Sequence, residues 1–589
     1  MHPDLTLRIA GESGEGVITI GETLCKLAAR EGLHLVTFRT FPAEIKGGAC
    51  MIQLRLSEKN ISYHGEKLDL LVCLNQEALD ENITELKENG VLVCEAECDV
   101  PEENSRLTVY KVPFERIAVR EIGSRISKNI VVLGTLCHLL GLPKLTIEKF
   151  LAEKFAKKSK AVLDHNLDAL QRGLNFAQQH FTGHRSVQMP SPSGQRKLLM
   201  TGNEAIAFGA AAAGVKCFFG YPITPASEIM EWLAVHLPRL GGKVLQTEDE
   251  ISAICCVAGA SWAGARSMTS TSGPGLSLMS ETIGLLTMAE IPAVIIDSQR
   301  GGPSTGMPTK TEQSDLFLAL YGSHGDSPRV VMAPTSVTEC FRMTGVAFDI
   351  AEKYQIPVIM LVDQALSARL ETVEPHVARR TPAASRLRAE PESGGKYARY
   401  KLGGSVISPV ALPGTEGGEH MVTGMEHDEL GNFACDEETH TAMTVKRFRK
   451  LPAIESDPLA QNLSTRLGDP HAEIGIVTWG SSAGPVEEAI GRANEMGIAA
   501  QAIVPKILNP LPHQELREFF GNVNHVIVPE LNFVGQFAAL LRSTYRVPTI
   551  SLTKIKGIPL TPGEIVQKIA EVAEIATARS KKRYGRAAG

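Results

Sequence analysis

Short apolar runs alternate with amphipathic stretches along most of the chain, and the alternation sets out the expected elements. "LTLRIA" leads through the glycine-rich "GESGEG" into "VITIGETLCKLAAREG", whose apolar positions recur at helical spacing, and then into the strand-like "LHLVTF". "DLLVCL" and "GVLVCEAE" read as further strands, and helical periodicity follows from about Ile117 to Phe181. Such alternation argues for an α/β domain on a parallel sheet. "TGHRSVQMPSPSGQR", poor in apolar residues and rich in Ser, Pro and Gly, reads as a linker.

A second block opens near Leu198 with the helix "GNEAIAFGAAAAG", the strand "VKCFFG", the loop "YPITP" and the helix "ASEIMEWLAVHL". It continues with strand "SMTST", loop "SGPG", helix "LSLMSETIGLLTMAE" and strands "PAVIID" and "PVIMLVD". From 374 to about 469 the alternation is lost in acidic, glycine-rich, loop-like sequence. A third block runs through "EIGIVTWG", "GIAAQAIVP", "HVIVPEL" and "TISLTKI". The expected layout is an α/β domain at 1–182, a linker at 183–197, a second at 198–373, a connector at 374–469, a third at 470–579 and a basic tail at 580–589. No repeat at solenoid period is present.

Composition narrows the class without naming a chemistry. The 589 residues are 43% hydrophobic and 21% charged, as in an ordinary globular protein. No run approaches the ~20 apolar residues of a membrane span, and the opening residues carry no signal-peptide pattern. The chain therefore reads as soluble and cytoplasmic. A net charge of −6 argues against nucleic acid as the main partner. The eleven cysteines are scattered, with none of the spacings of an iron–sulfur cluster or a four-cysteine zinc site, and are expected to be buried thiols. His420, His427, Cys435 and His440 are metal-capable but irregularly spaced, so no metal is assigned.

Candidate chemistry concentrates in loops that follow strands. Gly11, Gly14 and Gly16 of "GESGEG" sit between strand and helix, where backbone N–H groups favour an anion, yet the spacing is neither the dinucleotide fingerprint nor a P-loop. "GYPITPASE", "TSTSGPG" and "DSQRGGPSTGMPT" all follow strands of the second block, where strand ends line the ligand crevice of an open parallel sheet. Thr224 offers a hydroxyl, and Arg300 a guanidinium suited to a carboxylate or phosphate. In "QTEDEISAICCVAGA" three acids precede a small, apolar run. Asp249 is the natural helix cap. Glu250 then enters the helix beside Ala253, Ile254 and Val257 and needs a specific hydrogen-bond partner; Glu248 is the second candidate.

"GYPITPASE", "QTEDEISAICCVAGASWAGARSMTSTSGPGLSLM", "QRGGPSTGMPTKTEQSDL" and "YGSHGDSPRVV" together resemble the α subunit of 2-oxoacid:ferredoxin oxidoreductases. The first ~180 residues, with "GESGEGVITIGETL" and "FPAEIKGGACMIQLRLS", resemble the family's γ domain fused ahead of α, and "VTGMEHDELGN", "TWGSSAGPVEEAI" and "VPELNFVGQ" fit the remainder. The resemblance implies three α/β domains: a γ domain, a thiamine diphosphate (TPP) pyrimidine-binding domain and a transketolase C-terminal-like domain. It implies that Glu250 hydrogen-bonds N1′ of the aminopyrimidine, favouring the imino tautomer that takes the thiazolium C2 proton. Thr224 matches a threonine that contacts substrate, Arg300 an arginine that pairs with the 2-oxoacid carboxylate, and Tyr221, Pro222, Ile223, Ser272 and Gly273 complete the expected cofactor-binding set. Gly11, Gly14 and Gly16 are kept for coenzyme A or another anion.

Cluster cysteines and the GDG-then-Asn pattern that holds Mg²⁺ and diphosphate are not in this chain. The resemblance therefore implies a separate β subunit carrying Mg²⁺ and a 4Fe–4S cluster, in an (αβ)₂ assembly that delivers electrons to ferredoxin and the acyl group to coenzyme A. 2-Oxoglutarate is the expected substrate, with pyruvate or a broad range of 2-oxoacids as the alternative. Ala226 stands where the family pattern has serine, and Lys46 where it has arginine. Two other classes remain open: a non-redox TPP lyase or transferase subunit, and a coenzyme A- or nucleotide-binding scaffold without catalysis.

Overall fold

The computed structural model describes residues 4–42, 47–102, 106–181, 187–376, 384–391 and 396–587, with side chains to 576. Lys46 and residues 182–186, which include the start of the expected linker, lie outside the described residues. The chain forms two units, residues 1–200 with 368–375 and residues 201–367 with 376–589.

In the first unit, β1 (Leu5–Glu12), β2 (His34–Thr40), β3 (Ala49–Ser57), β4 (Leu68–Cys73), β5 (Leu86–Glu95), β6 (Thr108–Val112) and β7 (Leu198–Thr201) join Leu370–Val373 in one sheet. Its order is β6-β5-β4-β1-β3-β2, then Leu370–Val373 and β7. β1, β4, β5 and β6 are parallel, as expected, but β3 runs antiparallel to both β1 and β2, and Leu370–Val373 runs antiparallel to β2. The sheet is mixed rather than parallel because β2 returns through β3 without a crossover helix, which parallel strands require. Alternating Ile52, Leu54 and Leu56 mark β3. The core gathers Leu7, Ile9, Leu54 and Val72 of the sheet with Val131 and Leu136 of the helix Lys128–Leu139 and Leu170 of the helix Lys160–His180.

The second unit holds two sheets. β8 (Cys217–Gly220), β9 (Lys243–Gln246), β10 (Ser267–Thr271), β11 (Ala293–Gln299), β12 (Val330–Met332) and β13 (Pro357–Asp363) are parallel in the order β12-β13-β11-β10-β8-β9. With Leu370–Val373 counted as β14, the second sheet is β15 (Thr465–Gly468), β16 (Ile474–Val477), β17 (Ala500–Val504), β19 (His525–Glu530) and β20 (Ile550–Thr553) in the order β15-β17-β16-β19-β20. β18 (Ile507–Asn509) crosses over to pair antiparallel with β12. One core therefore joins the two sheets, with Ile254, Leu276 and Ile295 packed in the same cluster as Trp479, Val528 and Phe537.

Three sequence-drawn boundaries shift. Residues 198–201 and 370–373, expected at the two ends of the second block, form strands of the first sheet, because strands this short carry no mark of which sheet they will join. The connector contains the helices Glu437–Phe448 and Lys450–Glu455. The basic tail continues the helix Pro562–Ala587. Among the described residues, no helix is long and apolar enough to cross a membrane.

Candidate active site

β8 and β10 are neighbours, yet the chain passes from β8 to β9 on one side before returning to β10 and β11 on the other. Such a reversal opens a crevice at the carboxyl ends of the strands. Four segments start from that edge: 221–226 after β8, 247–250 after β9, 272–275 after β10 and 300–315 after β11.

The three acids separate as their positions dictate. Asp249 is extended and caps the helix Glu250–Trp262, its Oδ1 accepting from Ser252 N–H at 2.7 Å. That bond, made to the ionised form, lowers the Asp249 pKa. Glu248 is exposed, whereas Glu250 is buried at 6% exposure. The Glu250 side chain lies on the bare Cα of Gly275: a Cβ at position 275 would stand 2.6 Å from its Cγ and Oε1 and 2.0 Å from Thr271 Oγ1. Glycine is required there because the carboxylate occupies the space of a side chain.

Arg300, also buried, donates from Nη1 to the Thr224 carbonyl oxygen at 2.7 Å. Burial lowers the Arg300 pKa, and the carboxylates of Asp315 and Glu250 oppose that shift. Arg300 thus links the Thr224 segment to the neighbourhood of Glu250. Ser272 is fully buried at the start of the helix Gly273–Leu278, and its hydroxyl, like the Thr269 hydroxyl and Arg300 Nε, has no partner among the described residues. Tyr221 and Pro222 stand exposed on the first segment, and Ile223 is half-buried.

Two acids that the sequence reading passed over complete the neighbourhood. Asp297, near the end of β11, is fully buried beside Asp315, whose carboxylate lies against the Gly273 Cα. An aspartate inside the apolar run "PAVIIDSQ" was the available signal. Burial and the neighbouring acid push Asp297 well above the usual carboxylate range, and burial pushes Asp315 up to about 6.

The glycine-rich loop of the first unit is organised differently. Glu15 fills it: its Oε2 accepts from Glu12 N–H at 2.8 Å, and its Oε1 pairs with Lys128 Nζ at 2.8 Å. Gly14 and Gly16 have positive φ, and Gly11 has no room for a Cβ beside Glu15. Lys128 also faces Glu95 and Glu115 at 3.7 Å. Among the described residues, three acids surround the one lysine at this loop. Its geometry fits a tight structural turn.

The histidines of the connector spread out. His427 Nε2 lies 3.1 Å from the Met288 carbonyl oxygen, His420 Nδ1 lies 2.8 Å from that of Gly418, and His440 pairs with Glu426 at 2.6 Å. Cys255 and Cys435 are exposed, contrary to the expectation of buried thiols throughout. Cys255 lies on a face of the helix Glu250–Trp262 with Ile251, Gly259 and Trp262, all exposed. That helix is apolar all round, so its sequence does not mark an outer face.

Three family models match the chain in order. The description "Pyruvate ferredoxin/flavodoxin oxidoreductase" covers residues 6–176, "Pyruvate flavodoxin/ferredoxin oxidoreductase, thiamine diP-bdg" covers 208–446, and "Pyruvate:ferredoxin oxidoreductase core domain II" covers 472–555. The 2-oxoglutarate oxidoreductase subunit KorA of Mycobacterium tuberculosis is 35% identical over 95% of this chain and 90% of its own. The chain belongs to the 2-oxoacid:ferredoxin oxidoreductase family. Within that family, the 2-oxoglutarate synthase subunit KorA of Methanothermobacter marburgensis is 38% identical over 62% of this chain and 97% of its own. A solved 2-oxoglutarate:ferredoxin oxidoreductase from Magnetococcus marinus, with 2-oxoglutarate, coenzyme A and succinyl-CoA bound, superposes at a TM-score of 0.91, is 39% identical, and covers 97% of this chain and 100% of that one. The α/β architecture and the TPP-binding domain are those of the family.

Proposed function

We propose that this chain is the α subunit, with a fused γ domain, of a 2-oxoglutarate:ferredoxin oxidoreductase. With a β subunit it would convert 2-oxoglutarate and coenzyme A reversibly to succinyl-CoA and CO₂, passing two electrons to ferredoxin. The observation that carries the reading is the buried Glu250 carboxylate, held on the bare face of Gly275 at the crevice between β8 and β10. TPP fits the residues present. Glu250 would hold a proton on pyrimidine N1′, and the orphaned Ser272 hydroxyl would offer a hydrogen bond. When bound, TPP supplies a carbon nucleophile for the keto carbon and an electron sink as CO₂ departs. Arg300 would then serve the substrate carboxylate, and Thr224, whose backbone oxygen Arg300 holds, would offer its hydroxyl to the substrate.

The diphosphate, Mg²⁺ and electron-transfer cluster fall to the β subunit in this reading. Exposed apolar residues on the elements that bear the site, Tyr221, Leu245, Ile251, Trp262, Leu278 and Met307, suit a permanent partner better than solvent.

The test is co-expression with a cluster-bearing β subunit, followed by viologen reduction with coenzyme A and 2-oxoglutarate, pyruvate or 2-oxobutyrate. Reduction with 2-oxoglutarate above the other two is expected. A brown, TPP-loaded complex that reduces the dye with none of them would sink the proposal.

A further inference from the structure

Asp297 and Asp315 meet at the neck of the segment that carries Arg300. Asp297 is paired through the backbone with Thr271 of β10 and Leu361 of β13, so it is fixed in the middle of the sheet. Two residues on, Gln299 Oε1 accepts from Asp315 N–H at 3.1 Å, which draws the far end of the segment back to its start. The Asp315 carboxylate stands so close to Gly273 that a Cβ there would lie 2.8 Å from Oδ2. Apart from each other, both oxygens of Asp297 and Oδ2 of Asp315 find no protein donor among the described residues. Two enclosed neighbouring carboxylates, with three of their oxygens lacking a protein donor, favour one proton held between them over two like charges. The charged groups facing them are Arg300 and Glu312 of the same segment, with Glu250 opposite Arg300 on the neighbouring helix.

We propose that Asp297 and Asp315 are positioning residues that share one proton, and that this bond clamps the 300–314 segment so that Arg300 stays on Thr224 beside Glu250. The inference rests on the reading of Arg300 as the 2-oxoacid-binding group. Loss of the proton sets two charges against each other at the neck, frees the segment and weakens substrate binding before it impairs turnover. The apparent KM for 2-oxoglutarate therefore rises on the alkaline side, with kcat changing less. Burial holding Asp315 at about 6 and Asp297 well above the usual range agrees in sign.

The experiment uses the co-purified holoenzyme, with KM and kcat for 2-oxoglutarate followed against pH for wild type, Asp315→Asn, Asp315→Ala and Arg300→Ala. Infrared spectra of the same preparations, labelled at aspartate, read the protonated carboxyl directly and do not depend on activity. Asp315→Asn keeps a donor to Asp297 at every pH, so it should hold KM near the wild-type minimum and abolish the alkaline rise. Asp315→Ala should raise KM about tenfold, the scale of one charge-assisted hydrogen bond, with little change in kcat. A protonated-carboxyl band at neutral pH that disappears in Asp315→Asn completes the expected result. No such band, or an Asp315→Asn profile superimposable on wild type, overturns the proposal. An unchanged KM in Arg300→Ala instead breaks the assignment of Arg300, while the infrared result still decides whether the proton is shared.

Discussion

Glu250 is singled out from its two acidic neighbours by where the helix starts. Asp249 spends its carboxylate on Ser252 N–H, Glu248 points to solvent, and the first helical residue is left facing Gly275 in the interior. A carboxylate in that position can exchange a proton with a bound ring nitrogen, a role worth about 10²–10⁴-fold in rate. Glu250→Gln preserves shape and removes the basicity. It should lower dye reduction by at least that factor while the complex with β still forms and melts as wild type. Activity retained within a few-fold would move the role to Glu248. The separation of cap from buried acid was legible in "QTEDEISAICC" from helix-capping rules alone. The role of Asp297 was not, because nothing local in "IIDSQ" says that a second acid eighteen residues on, Asp315, will fold back onto it.

At the scale of elements, the site depends on how tightly the "SGPG" turn passes the start of the Glu250–Trp262 helix. A methyl group at 275 would stand 2.0 Å from Thr271 Oγ1 and 2.6 Å from the Glu250 carboxylate, well inside contact distance. Something has to move, and the side chain of Glu250 is the freer of the two. Gly275→Ala should therefore abolish most turnover at a stability loss of about 1–3 kcal/mol, the usual range for overpacking. Tryptophan-monitored unfolding beside the viologen assay separates the effects: full activity would show that the turn relaxes away from Glu250. The strand–loop–helix order of this block could be read from hydrophobic spacing, which placed the Thr224, Ser272 and Arg300 loops at one sheet edge. The short strands could not be assigned in the same way. β7, β14 and β18 join sheets outside their own blocks, and pairing over three or four residues is set by tertiary contacts rather than by local pattern.

On the scale of the second unit, the connector is held to the sheet block by a buried ionic knot. Glu290 is 2% exposed and pairs with Lys446 and with Lys450 at 2.8 Å, while Arg399 donates to its backbone oxygen at 3.0 Å. Burial pushes Glu290 up, but Lys450, Lys446 and Arg399 outweigh it and hold the carboxyl well below the usual range. The folded state then binds fewer protons than the unfolded state at acid pH, so unfolding takes up a proton and stability falls as pH drops below the ordinary carboxylate value. Removing the charge leaves two buried lysines unmatched, a loss of about 3–5 kcal/mol for a broken buried pair. Glu290→Gln should thus lower the urea midpoint strongly near neutral pH and by a smaller margin at about pH 4, where wild type has begun to lose the same contribution. The three tryptophans, Trp232, Trp262 and Trp479, all lie in the second unit, so their fluorescence follows this transition alone. A Glu290→Gln deficit that stays constant from neutral to acid pH would mean that the knot holds the connector by packing rather than by charge.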